Sequence, residues 1–108
     1  LPLLAKRMKK VNIVCCCFKD VFRVWDEDDT LTYLDPPALP DPNASGVFEN
    51  EMSTDDHVAM LNLAKTARGK VIISGHPSPL YNRHLTGWKC VKTNHPTSKK
   101  VEMLWMNY

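Results

Sequence analysis

Apolar positions along the chain change their period several times, and each change marks an element. Leu3, Leu4 and Met8 recur at helical spacing, so the first residues read as the end of a helix. Val11 to Cys16 is a compact apolar run bounded by charge, the pattern of a buried strand. Val21, Phe22, Val24 and Trp25 predict a short helix or turn, after which Asp26-Glu27-Asp28-Asp29 breaks the pattern as a solvated loop. Thr30 to Leu34 is β-branched and aromatic, as strands prefer. It must stop at Asp35-Pro36-Pro37, because proline has no N–H to give to a sheet ladder.

The second half alternates in the same way. Leu39 to Asn50 is rich in Pro, Asn, Ser and Gly and reads as a long loop of the kind that tends to carry function. Ser53-Thr54-Asp55-Asp56 has the spacing of a capping box, with Val58, Leu61 and Ala64 on one face of the helix that follows. Gly69 is expected to close that helix as the residue after its C-cap. Lys70 to Ser74 is a short apolar strand ending at Gly75, and Leu80 to Leu85 predicts a short helix. Trp88 to Thr93 and Val101 to Met106 read as two antiparallel strands joined by a loop containing Pro96. Helices alternating with strands argue for a layered α/β sheet with parallel strands, in which ligands bind beyond the carboxyl ends of the strands. Asp35 and Ser74-Gly75 both fall at such ends.

Composition narrows this picture. The 108 residues suit one domain or a piece of one, and 44% are hydrophobic, enough for a packed core. No apolar run is long enough to cross a bilayer, and the first residues lack the order of a secretory signal, so no membrane partner is expected. The formal net charge of +2 does not by itself demand a nucleic-acid partner, and the basic clusters at Lys6, Arg7, Lys9, Lys10, Lys99 and Lys100 read as solvated surface. Cys15, Cys16 and Cys17 are consecutive and Cys90 is distant, which matches no zinc or redox spacing. They are expected to be small buried thiols in a reducing compartment, which favours the cytoplasm. His57, His76, His84 and His95 match no metal motif and read as surface or loop residues, so no metal is expected. Trp25, Trp88 and Trp105 each sit in an apolar stretch and are expected in the core. Ser74-Gly75-His76 lacks the flanking glycines of a nucleophile elbow, and Asn82 and Arg83 are read equally well as phosphate contacts or a solvated helix face.

The sharpest chemical signal is Asp35-Pro36-Pro37-Ala38. A carboxylate at a strand end, followed by two prolines, is a rigid acceptor corner with free carbonyl oxygens. It suits an amine, whose two N–H groups would be held while its lone pair faces an electrophile. The bland alternative is a strand-ending turn, since Asp and Pro are ordinary turn formers.

Context favours the first reading. Thr30-Leu31-Thr32-Tyr33-Leu34-Asp35-Pro36-Pro37 resembles the methylation motif of the DNA adenine methylase family. Lys70-Val71-Ile72-Ile73-Ser74-Gly75 is similar to that family's next strand, Ser78-Pro79-Leu80-Tyr81-Asn82 and Gly87-Trp88 follow in order, and Val101 to Tyr108 resembles its closing strand. The likeness runs from about Val11 to Tyr108. It implies the C-terminal part of an adenine-specific DNA methyltransferase catalytic domain: an α/β fold with a partial Rossmann-like methyltransferase sheet, mostly parallel with a C-terminal antiparallel hairpin. It further implies methyl transfer from S-adenosylmethionine to the exocyclic amine of adenine, swung out of double-stranded DNA. Asp35 and the Pro36 carbonyl would hold that amine, Pro37 and Ala38 would complete the catalytic motif, and Asp35, Cys17 and Phe18 would border the cofactor.

Three departures from the family qualify these expectations. Ala38 stands where the family has an aromatic that stacks on the base; such stacking is worth about 1–3 kcal/mol. Cys15-Cys16-Cys17 replaces a polar stretch with an acid that many members carry before the Phe18 position. No glycine-rich cofactor loop or DNA-recognition region is recognisable, so a missing N-terminal part of the enzyme is an expected partner and the Asp35 strand is expected to have an unpaired edge. The isolated chain is therefore expected to be marginally stable or oligomeric, and impaired or inactive. The alternatives are a non-catalytic α/β fragment and a nucleic-acid-binding module without activity.

Overall fold

The computed structural model describes residues 2–41, 52–93 and 101–108. Its elements are α1 (Pro2–Met8), α2 (Phe18–Trp25), β1 (Leu31–Leu34), α3 (Thr54–Lys65), β2 (Lys70–Gly75), α4 (Pro79–His84), β3 (Lys89–Thr93) and β4 (Glu102–Met106). The four strands form an open sheet in the order β1-β2-β4-β3. β1 pairs parallel with β2, Leu31 opposite Lys70 and Leu34 opposite Ile73. β4 lies antiparallel to both β2 and β3. The expectation of a mostly parallel sheet is therefore corrected: one of the three pairings is parallel. β1, β2 and β3 run the same way, but β4 returns between β2 and β3, so the hairpin converts both of the remaining contacts to antiparallel.

The core sits where α3 and α4 meet β2 and β4. Met60, Leu61, Ala64, Val71, Ile73, Tyr81, Leu85 and Trp105 are buried together. α3 enters this core in the register that its cap sets. The Ser53 side chain accepts from the Asp56 amide at 3.1 Å, and the Asp56 carboxylate accepts from the Ser53 amide at 3.4 Å, the expected capping box. Ser78 caps α4 likewise, accepting from the Tyr81 amide at 3.1 Å with Pro79 at the first helical position, where its missing N–H costs nothing.

The acidic run after α2 is more than a solvated loop. The Asp26 carboxylate accepts from the amides of Arg68 (2.8 Å) and Gly69 (3.0 Å), so it ties the approach to β2 onto the end of α2. Gly69 is not the helix-closing glycine that was expected. α3 ends at Lys65 with Thr66 as its C-cap, and Gly87 is the one described glycine with positive φ. Gly69 is required because the chain passes against the backbone of Glu27 and Thr30: a Cβ there would lie 2.6 Å from the Glu27 carbonyl oxygen and closer still to that of Thr30.

Other expectations are also corrected. Val11 to Cys16 forms no strand; it runs irregular and exposed, because no strand among the described residues lies beside it to pair its backbone or cover its side chains. The four cysteines are free and exposed, since Cys15–Cys17 share that uncovered segment and Cys90 lies on the edge strand β3. Trp105 is buried and Trp88 packs against the core, but Trp25, at the end of α2, is exposed. His57 is buried and not a surface residue. Among the described residues β1 lies at the end of the sheet, with Leu31 and Tyr33 exposed. Most of the loop from Leu39 to Asn50, the loop holding Pro96, and His95 lie outside the described residues.

Candidate functional site

The carboxyl ends of β1 and β2 lie side by side because the two strands are parallel and in register, Leu34 opposite Ile73. The residues that follow each strand therefore meet. A cavity of about 310 Å³ opens there, walled by Asp35, Pro36, Pro37, Ala38 and Leu39 after β1 and by Gly75, His76, Pro77 and Ser78 at the end of β2. His57 from α3, Tyr81 from α4 and Glu102 at the start of β4 complete it. This volume is at the low end of the roughly 300–1,000 Å³ of small-molecule sites, room for one base-sized ligand.

The Asp35 carboxylate is held in place by a relay from both strands. The Tyr33 hydroxyl donates to Ser74 Oγ at 3.0 Å, and Ser74 Oγ donates to Asp35 Oδ1 at 2.8 Å. Ser74 is buried on β2, so its hydroxyl is fixed, and its longer contact to the Leu34 carbonyl (3.4 Å) is the weaker of its two acceptors. One oxygen of Asp35 is thereby anchored. This is how a strand-end carboxylate becomes a preorganised acceptor.

A second polar pair forms the floor. His57 Nδ1 and the Tyr81 hydroxyl are 2.7 Å apart, with the rings edge to face at a centroid distance of 5.8 Å. Tyr81 packs in turn on Trp105, 5.4 Å between centroids. Burial pushes the Tyr81 hydroxyl up to about 12, so it stays protonated. Burial also holds the His57 imidazole below its ordinary value, against the opposing pulls of the Asp56 carboxylate and the Ala38 backbone carbonyl. That carbonyl favours a proton on the ring, yet Nε2 has no partner in hydrogen-bond geometry.

Of the residues singled out in the sequence, Asp35, Pro36, Pro37 and Ala38 come together on one wall. Cys17 and Phe18 do not line this cavity. Cys17 is the exposed N-cap of α2, and Phe18 packs against the core. Tyr33 and Tyr81 both commit their hydroxyls to neighbours, Ser74 and His57. Ser74 and His76 are not paired as nucleophile and base: Ser74 donates to Asp35, while His76 Nδ1 lies 2.8 Å from the Val101 carbonyl. Asn82 and Arg83 are exposed. Sequence reasoning did not place His57 or Tyr81 in the cavity, where both now stand. The signal was present: His57 lies four residues before Leu61 and seven before Ala64, on the buried face of α3.

The donor set suits an amine better than a nucleotide cofactor. Asp35 offers acceptors, but among the described residues no glycine-rich turn follows a strand, and the segment around Cys17 is not drawn into the site. No group of three or more His, Cys, Asp or Glu among the described residues is placed to hold a metal ion, and no described helix is long and apolar enough to cross a membrane. No protein-family model matches the chain, and no curated protein matches it.

Proposed function

We propose that this corner is the amine-holding site of an adenine-specific DNA methyltransferase, carried on part of a Rossmann-like methyltransferase sheet. The observation that supports it is the anchoring of Asp35 by Ser74 and Tyr33 at the mouth of a base-sized cavity, next to Pro36 and Pro37. Asp35 and the Pro36 carbonyl accept from the two N–H groups of the amine, which turns its lone pair away from them. S-adenosylmethionine, when bound, supplies the electrophilic methyl group, but the residues described here form no cradle for it beyond Asp35. The cofactor and the flipped strand of double-stranded DNA would need binding residues beyond those described here. Four exposed free thiols fit a reducing compartment, so we place the chain in the cytoplasm.

The test is transfer of labelled methyl from S-adenosylmethionine to adenine-containing duplex, with calorimetric titration of the cofactor alongside. At most weak transfer is expected from this chain alone. Ala38→Tyr should raise it by roughly one to two decades, the worth of a restored stacking face, and Asp35→Ala should abolish it. No cofactor binding up to millimolar concentration and no transfer by either form would leave a non-catalytic α/β fragment. That second reading has its own support in the open edge of β1 and the uncovered residues before α2. Salt-dependent DNA binding without transfer would instead mark a nucleic-acid-binding module, because phosphate contacts release counterions.

A further inference from the structure

The segment before α2 keeps its apolar side chains in water. Every residue from 2 to 17 is exposed, Leu3 at 83% and Ile13 at 80%. Apolar side chains scattered singly over a surface are ordinary, but these are contiguous and ordered. α1 ends at Met8, and the Val11 amide still donates to the Met8 carbonyl at 3.0 Å, so the helical turn runs on to Val11. Leu4, Met8 and Val11 are spaced four and three apart and share one side of that turn, while Lys6, Lys9 and Lys10 share the other. Ile13 and Val14, both exposed, follow directly.

Charge is sorted in the same place. Residues 1–17 hold four of the chain's 14 Lys and Arg and none of its 12 Asp and Glu, so the remainder is net acidic. The near-neutral total of +2 conceals a basic segment joined to an acidic body. Cations alternating with uncovered apolar side chains match one kind of surface, negative headgroups above hydrocarbon. A nucleic acid would pair with the lysines and leave Leu4, Met8 and Ile13 in water, because its backbone offers polar contacts. We propose that residues 3–14 are an interfacial anchor that lays the chain on an anionic lipid bilayer. The Leu4–Met8–Val11 side enters the boundary between headgroups and acyl chains, and the lysines lie among the headgroups. The segment rests on the bilayer and does not span it; no described helix is long and apolar enough to cross one. This inference is independent of the amine-holding reading of Asp35. Cys15, Cys16 and Cys17 end the segment as free, exposed thiols, which brings them to the lipid surface, whereas Cys90 is carried on β3 at the far edge of the sheet.

The experiment uses the whole chain with vesicles of phosphatidylcholine, either alone or with about one-third phosphatidylserine. Co-sedimentation with the anionic vesicles is expected, on the order of tenfold stronger than with the neutral ones and falling as salt rises. Replacing Lys9 and Lys10 together (Lys9→Gln, Lys10→Gln) should weaken it roughly 25-fold, about fivefold for each charge. Ile13→Ser should weaken it about tenfold. Ile13 is exposed, so that loss does not come from unfolding. On the vesicles, a water-soluble maleimide should react more slowly with Cys15, Cys16 and Cys17 and at an unchanged rate with Cys90. No association with anionic vesicles overturns the proposal, as does equal association with neutral ones or equal association by the parent and both variants. Slowed reaction at Cys90 alone overturns it too, by showing that another face meets the lipid. Without vesicle binding, duplex DNA affinity lost on replacing Lys9 and Lys10 would assign the segment to a nucleic acid, and an oligomer lost on Ile13→Ser would assign it to a second copy. Either result overturns the lipid assignment.

Discussion

Ile13 and Ile73 are the same side chain in opposite settings. Ile73, in the middle of β2, is 0% exposed; Ile13, in the segment before α2, is 80% exposed. Both stand in short, mostly apolar runs, Val11 to Cys16 and Val71 to Ser74. The difference lies in what surrounds each run. β2 has β1 on one side and β4 on the other, and α3 and α4 contribute to the core that its side chains enter. Among the described residues, the segment before α2 has neither a sheet neighbour nor a helix over it: residues 2–17 are all exposed, and α1 buries nothing. An apolar run specifies a strand only where a partner edge and a covering layer exist.

The comparison breaks most visibly at its buried end. Ile73→Ala removes three methyl or methylene groups from a fully enclosed position and leaves a cavity among Leu61, Val71 and Trp105. The expected loss is about 2–5 kcal/mol, read as a lower denaturation midpoint in urea with an unchanged slope. A loss under about 1 kcal/mol would show that the core is as loosely covered as the first segment.

What the sequence makes legible follows the same division. The capping box at Ser53 and the strand ends at Asp35 and Gly75 are local, since each depends on residues within a turn of one another, and they appear where expected. So does the antiparallel pairing of β3 with β4. The order of the sheet is not local. Insertion of β4 between β2 and β3 depends on which edge is free, and nothing in the period of Glu102–Met106 encodes that. The role of Gly69 was misassigned for the same reason: the contact that requires glycine comes from Glu27 and Thr30, about forty residues earlier. For the site, the Asp35 wall was readable as a motif, while Ser74, His57 and Tyr81 converge on it only through parallel pairing and helix packing. The apolar segment from Val11 to Cys16 was misread because its composition was right and its partner was not there.

A smaller effect separates the two regions by pH. His57 has its imidazole held below the ordinary value of 6.5, mainly by burial. The folded state therefore binds this proton less readily than the unfolded chain. Its stabilising contribution is present above about pH 6.5 and is lost as pH falls from there toward the lowered folded value. The slope cannot exceed about 1.4 kcal/mol per pH unit for one proton. His84 is lowered as well, first by desolvation and then by Lys65, whose Nζ is 3.0 Å from its Nδ1, so it adds to the same slope. His57→Gln should flatten part of the dependence between pH 6.5 and 5, measured as urea unfolding at each pH. An unaltered slope would mean that His57 is as solvated as the residues of the first segment.

The smallest effect belongs to the exposed isoleucine, and its smallness is informative. Ile13→Ser removes apolar surface that the described fold does not cover, so the unfolding free energy at low protein concentration should stay within about 0.5 kcal/mol of the parent. The exposed side chains Leu3, Leu4, Ile13 and Val14, together with the open edge of β1, also give a second surface the opportunity to pair. Repeating the titration at rising protein concentration, with sedimentation alongside, therefore sharpens the contrast. A parent whose midpoint climbs with concentration, beside an Ile13→Ser form whose midpoint does not, would show the segment buried against another copy. Two flat, superimposed curves would show that Ile13 is solvated at every concentration and that Ile73 and its neighbours account for the stability of the fold without it.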